Sequence, residues 1–181
     1  MNPKITLREE LTVSPWVTMV TRHVQFEGNP HPQLFHSFRY HDYACLLGLT
    51  PCGHIPLVRQ FRVALECQTL ELPSGLVDGT LGPSETAQRE IEEETGWFCQ
   101  TPPELLGTLH PDSGRAENRL WCYFCPQLTR PTGVRWTPEP GITPELVRPK
   151  DLLDFMKNGA FDHALHVAAI GLALAGGKLT I

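Results

Sequence analysis

The stretch from Gly82 to Gly96 constrains the fold more than any other part of this 181-residue chain. Pro83 suits a first helical position, where its missing N–H would have no partner anyway. Gly96 suits the position just past a helix end, where a left-handed backbone closes the last turn. Between them, Ser84 to Thr95 reads as one helix. From Glu85 to Glu94 this helix carries five glutamates (Glu85, Glu90, Glu92, Glu93 and Glu94) and one cation, Arg89. At about 100° per residue, Glu90, Glu93 and Glu94 fall within an arc of about 100°. Ala87 and Ile91 adjoin that arc and can pack inward, while Glu92 points toward solvent. The helix must therefore rest on a core along one flank and hold three carboxylates along the next.

Carboxylates at i, i+3 and i+4 repel one another unless something neutralises them. A hard divalent cation does so well, because Mg²⁺ favours carboxylate oxygens and keeps waters for a phosphate substrate. A bare run of glutamates reads as easily as a solvated acidic face; the surrounding frame of Gly75, Arg89 and Gly96 weighs against that plainer reading. The charge balance agrees. The formal net charge is -5, and the ten residues 85–94 hold five glutamates against one arginine. An acidic chain of this kind lacks the basic face of a general nucleic-acid binder.

The rest of the chain reads as one domain with a short extension, long enough to bury roughly 70% of its unfolded surface. Strands are predicted over Trp16–Phe26, Leu34–Tyr40, Tyr43–Leu49, Ile55–Arg62 and Cys67–Leu72, from their β-branched and aromatic content. This block reads as a β-meander of at least four strands. Further strands follow at Leu105–His110 and Leu120–Leu128. Six prolines between Pro126 and Pro149 predict a long, stiff loop with one short strand. Helices are predicted at Asp151–Asn158 and Asp162–Ala175. Strands, helix, strands, helices make an α/β domain with mixed pairing.

The other chemical features read as structural. Cys122 and Cys125 form a C-x-x-C, but on a strand such positions face opposite ways, and no second pair sits at zinc spacing. The six cysteines read as reduced thiols. His163 and His166 lie three apart on a helix without evident ligand partners and read as ordinary helix residues. No apolar leader is visible at the amino terminus, and the apolar stretch from Val167 to Gly177 is too short to span a bilayer. The expectation is a cytoplasmic protein with no membrane partner.

The frame from Gly75 through Arg89-Glu90-Ile91-Glu92-Glu93-Glu94-Thr95-Gly96 resembles the Nudix box, the signature of the Nudix hydrolases. Gly75, Arg89, Glu90, Ile91, Glu93, Glu94 and Gly96 match that pattern, and Trp97 stands in for its final hydrophobic residue. One position departs: Leu81 sits where the family has its first glutamate. Beyond the box, Val58–Arg62 with Leu70–Gly75, Pro111, and Asn158–Ala164 look like the ADP-ribose pyrophosphatase branch. The implied fold is a Nudix-type α/β/α sandwich with a mixed sheet and an N-terminal antiparallel strand extension. The implied organisation is an extension over 1–42 that mediates dimerisation, then a hydrolase domain over 43–181.

What the resemblance implies chemically is metal-dependent cleavage of the pyrophosphate in a nucleoside diphosphate sugar such as ADP-ribose. Glu90, Glu93, Glu94 and the backbone carbonyl of Ser74 would hold Mg²⁺ or Mn²⁺. Glu139, on a late loop, would be the general base, with Glu94 as the alternative. Arg89 would brace the box through Glu85 or Glu93, each four residues away. Arg62 would bind phosphate or ribose, and Glu71 and Glu117 are further candidates for substrate contact. Trp16, Phe26 and Phe35 read as core or interface aromatics, or as a stacking surface for a base. The alternatives are a catalytically impaired Nudix-fold module that binds nucleotide, or a hydrolase of GDP-mannose, NADH or dinucleoside polyphosphates. The implied assembly is a homodimer.

Overall fold

The computed structural model describes residues 2–130, 133 and 136–180. It contains twelve strands and three helices among these residues. The chain divides into two compact units, one of Met1–Asp42 with His110–Arg119 and one of Tyr43–Leu109 with Leu120–Ile181.

The first unit is built on a three-stranded antiparallel sheet of β1 (Lys4–Ser14), β2 (Val17–Gln25) and β3 (Gln33–Arg39), in that order. The first of these strands is absent from the sequence expectation. Its mixed polar residues alternate weakly, and every one except Ser14 is exposed, so burial leaves no period to read. Phe38 bridges Ala116, which ties the 110–119 segment to the sheet.

The second unit contains β4 (Asp42–Gly48), β5 (Ile55–Arg62), β6 (Cys67–Glu71), β7 (Ser74–Val77), α1 (Pro83–Thr95), β8 (Phe98–Cys99), β9 (Glu104–Leu109), β10 (Leu120–Cys125), β11 (Leu128–Thr129), β12 (Ile142–Val147), α2 (Pro149–Asn158) and α3 (Ala164–Ala175). The expected meander does not form. Instead β7-β4-β10-β9 make one sheet and β12-β5-β6 another, with β11-β8 as a short pair. Strands adjacent in sequence are split between sheets because β4 takes the distant β10 as a parallel partner, Cys45 opposite Cys122. The proline-rich segment holds two strands rather than one, and its residues 131, 132, 134 and 135 lie outside the described residues. In β12, Pro144 is tolerated because that strand lies at a sheet edge.

Alternation along β4 and β10 builds the layers. Ala44, Leu46, Tyr123 and Cys125 face one way and pack with Ala87 and Ile91 of α1. Cys45, Leu47, Cys122 and Phe124 face the other way and pack with Ala169, Ile170 and Ala173 of α3. A sheet with a helix on each side is the α/β/α arrangement the sequence implies. It also puts Cys122 and Cys125 on opposite faces, and all six cysteines are free. Among the described residues no helix is long and apolar enough to cross a membrane.

Candidate active site

The site is assembled at the start of β7 and along α1. Pro83 occupies the first turn, and Gly96 closes the helix with φ of 71°, donating its N–H to the Glu92 carbonyl at 2.9 Å. Ala87 and Ile91 are fully buried and fix the rotation of α1. That rotation leaves Glu92 and Glu93 exposed, Glu90 half-buried and Glu94 buried, at 5% exposure.

Glu94 turns back toward β7 and accepts the Ser74 N–H at 3.1 Å. Burial pushes its carboxyl up to about 8, with Glu90 and then Glu139 adding to the effect, while the Ser74 N–H and Arg62 oppose it. Glu93 is raised as well, by burial first and by Glu90 and Glu139 beyond the opposing pull of Arg89. Glu139 therefore lies close enough for its charge to act on both. It shares a cleft of about 480 Å³ with Arg89, Glu92, Glu93, Trp136 and Thr137.

Arg89 donates to Glu90 at 2.6 Å and approaches Glu93 at 3.6 Å. The expected pairing with Glu93 is present as a long ion pair. The alternative pairing with Glu85 is replaced by the contact to neighbouring Glu90. Gly75 leaves room for Glu90: a Cβ there would meet the Glu90 carboxylate, which would have to swing aside.

These observations fit a divalent cation. Glu90, Glu93 and Glu94 lie on one helix, Glu139 acts on the last two through its charge, and all four offer the hard oxygen donors that Mg²⁺ prefers. The glycine at position 75 leaves Glu90 room beside β7. Glu90, Glu93 and Glu94 are the side chains that would hold such an ion.

Beside Ser74 and Gly75 opens a second pocket of about 480 Å³, lined also by Tyr43, Arg62, Glu71, His163 and His166. Arg62 and Glu71 form a two-pronged pair, with Nε to Oε1 at 2.7 Å and Nη2 to Oε2 at 2.6 Å. Thr69 adds a third bond to Oε1 at 2.7 Å. Burial alone would raise the Glu71 carboxyl, but the bonds from Arg62 and Thr69 outweigh it and hold it at about 2. His166 is lowered to about 3, by burial first and then by His163, so it is neutral. Its Nδ1 accepts the Leu72 N–H at 3.2 Å.

Sequence reasoning missed these two histidines. His163 caps α3 through its ring nitrogen, and the rings of His163 and His166 stack at 3.9 Å with Glu71 alongside. The signal was an H-x-x-H opening a helix; what no spacing could reveal is that β6 delivers a glutamate to it. It also missed the clamp near the Glu139 loop, where Arg130 stands over both Trp97 and Trp136 and the Trp136 ring covers Gly96.

Glu117 belongs to the first unit. It accepts from Arg22 at 2.6 Å, Ser37 at 2.8 Å and Arg8 at 3.1 Å. Burial would raise its carboxyl, but Arg22 and Ser37 bring it down to about 2. Phe26 and Phe35 pack against each other at 6.0 Å in this unit, beside a pocket of about 360 Å³ that Glu117 also lines.

The NUDIX domain family model matches residues 39–165 of the chain. The chain belongs to the NUDIX family. Among curated relatives, the ADP-ribose pyrophosphatase of Bacillus subtilis (strain 168) is 44% identical over 84 residues, 46% of this chain and 45% of that one. The methanol dehydrogenase activator of Bacillus methanolicus is 36% identical over 92 residues, 51% of this chain and 49% of that one. The chain thus spans about half the length of the curated relatives it matches. A crystal structure of an ADP compounds hydrolase superposes with a TM-score of 0.79, covering 99% of this chain and 98% of that one at 19% identity. At that identity it shows a shared fold, and so supports the NUDIX α/β/α architecture.

Proposed function

We propose that this NUDIX chain is a metal-dependent hydrolase of the pyrophosphate in a nucleoside diphosphate sugar, ADP-ribose first, with AMP and ribose 5-phosphate as products. The observation that carries the reading is the Glu90, Glu93 and Glu94 face of α1, with Glu94 bonded to Ser74 at the start of β7 and Glu139 in the cleft beside Glu93. The partial match to an ADP-ribose pyrophosphatase supports the substrate class.

Mg²⁺ is the proposed ion, with Mn²⁺ as a substitute, held by Glu90, Glu93, Glu94 and the Ser74 carbonyl. When bound it would offset charge on the diphosphate oxygens and lower the pKa of water. Glu139 takes the proton of the attacking water as its oxygen bonds to one phosphorus. The bridging P–O bond breaks, and the electron pair leaves with the other phosphate. Glu94 is the alternative base. Arg89 holds Glu90 in place. Arg62 and Glu71 face the pocket beside Ser74 and contact substrate, and Glu117 is a further substrate contact.

The assembly is proposed as a homodimer formed through residues 1–42. The exposed apolar side chains of Ile5, Leu7, Leu11, Val13 and Leu34 support it. A cytoplasmic location without nucleic-acid or membrane partners suits the acidic charge.

The test is product release from ADP-ribose with Mg²⁺, alongside GDP-mannose, NADH and diadenosine polyphosphates. Turnover of one of the others but not ADP-ribose would correct the substrate. Metal-dependent thermal stabilisation by ADP-ribose without turnover would favour the nucleotide-binding module that Leu81 suggests.

A further inference from the structure

Glu139 sits on a short segment whose two ends are held by different parts of the fold. At one end, Glu139-Pro140-Gly141-Ile142 makes a tight turn. The Ile142 N–H donates to the Glu139 carbonyl at 3.1 Å, and Gly141 takes a φ of 89°. Proline second and a positive-φ glycine third are the pattern of a type II turn. Ile142 then enters β12 opposite Gln60 of β5. At the other end, the Trp136 ring lies so close to Gly96, the residue that closes α1, that a Cβ there would meet it at 2.7 Å. Between these anchors the chain is stiff. Thr137 and Glu139 each precede a proline, which holds both to extended backbone, and the two prolines fix their own φ.

Arg130 is what holds the Trp136 end. β8 and β11 pair antiparallel with Thr129 opposite Phe98, so Arg130 and Trp97 come next along that ladder. The guanidinium carbon of Arg130 lies 5.8 Å from the Trp97 ring centre and 5.5 Å from the Trp136 ring centre. Both distances fall within the ~6 Å reach of a cation–π contact. A planar guanidinium also stacks on aromatic faces, which an ammonium does not. Arg130 is itself exposed, so core packing does not account for its place. The stack leads directly to the acidic site. Trp97 follows the helix that carries Glu93 and Glu94, and Trp136 lines the same cleft as Arg89, Glu93 and Glu139.

We infer that Arg130 is a positioning residue: through Trp97 and Trp136 it fastens the segment bearing Glu139 to the end of α1, and so sets the Glu139 carboxylate beside Glu93. The inference rests on the reading of Glu139 as the base of the hydrolase. Without the stack the Trp136 end comes loose and the turn at Ile142 opens more often. A misplacement of about 1 Å in a reacting group costs on the order of 10²-fold in rate.

The test is Arg130→Met, which keeps an aliphatic stem and removes the guanidinium. On ADP-ribose with Mg²⁺, kcat should fall roughly 10–100-fold, with KM within about twofold of the parent and Tm within a few degrees. In a Glu139→Gln background the same substitution should cost less than about twofold, because no base is left to place. Hydrogen exchange gives a reading that needs no turnover: the Ile142 amide should exchange at least about tenfold faster in Arg130→Met, while the rest of β12 is unchanged. Trp136→Leu should reproduce both effects, and it decides if Arg130→Met does not fold. A parental kcat in Arg130→Met, an equal loss in the Glu139→Gln background, or Ile142 exchange at the parental rate would overturn the assignment. If the parent itself cleaves no nucleotide, the hydrolase reading fails, and the exchange rate alone decides whether Arg130 anchors the segment.

Discussion

The Glu94 carboxylate accepts the backbone N–H of Ser74 at 3.1 Å, so the last turn of α1 is tied to the first residue of β7. This bond brings the box helix and the glycine loop together, and it orients the one buried carboxylate of the site. Glu94→Gln keeps an acceptor for Ser74 but removes the charge. The variant should fold with a Tm within a few degrees of the parent and lose roughly 10²–10⁴-fold in kcat on ADP-ribose. Steady-state kinetics beside thermal melts check both halves.

The same carboxyl sets a pH dependence in metal-free protein. Its folded pKa is pushed up to about 8, by burial first, against 4.5 for an unperturbed group. Between those values the fold retains a proton that the unfolded chain has released, so stability falls as pH rises. His166 acts in the opposite sense below its ordinary value of 6.5, where the unfolded chain takes up the proton. Across the window from pH 6.5 to 8, Cys125, lowered to about 7 by its bond with Cys99, opposes Glu94 above that value, so the comparison with Glu94→Gln isolates Glu94. Melts in chelator should show Tm falling as pH rises from 6.5 to about 7, Mg²⁺ should raise Tm more at pH 8 than at pH 6.5, and Glu94→Gln should flatten the slope.

On the acid side, Glu71 is held at about 2 despite its burial. Its stabilising contribution is present above 4.5 and is lost as pH falls toward 2. Arg62→Met leaves that carboxylate buried without its cation. The cost should be roughly 2 kcal/mol, below the ~3–5 kcal/mol of a fully buried pair, because the Arg62 side chain is 41% exposed. Urea unfolding at pH 7 measures it, and restoring stability in the double variant with Glu71→Met would trace the loss to the stranded charge.

Gly75→Ala probes the crowding around Glu90. The new Cβ collides with the Glu90 carboxylate, the far end of a flexible side chain that can swing aside. Stability should change by less than about 1 kcal/mol, while the Mg²⁺ concentration for half-maximal activity rises roughly tenfold as the proposed ligand Glu90 is displaced. Magnesium titrations of the two proteins decide it.

How much of this was legible in the sequence differs from element to element. α1 was readable because Pro83, Gly96 and the Ala87–Ile91 stripe are local signals that agree with one another. The α/β/α layering followed from the resemblance, and alternation in β4 and β10 supplies its physical basis. The meander was misread because strand partners depend on long-range pairing: β4 pairs in parallel with a strand more than seventy residues away, which no local pattern records. β1 was missed because an almost wholly exposed strand carries no hydrophobic period. In the site, the acidic cluster was visible as a helix face. The bidentate Arg62–Glu71 pair and the histidines stacked beside it were not, because β5, β6 and α3 meet only in three dimensions.

The proposed activity is tested most directly by incubating the purified protein with ADP-ribose and Mg²⁺ and identifying the products by ³¹P NMR and chromatography. The account predicts AMP and ribose 5-phosphate in equal amounts, dependent on the metal and lost in Glu93→Gln. Intact ADP-ribose after prolonged incubation, together with no cleavage of any other nucleotide sugar or dinucleotide under conditions where Mg²⁺ binds, would contradict it.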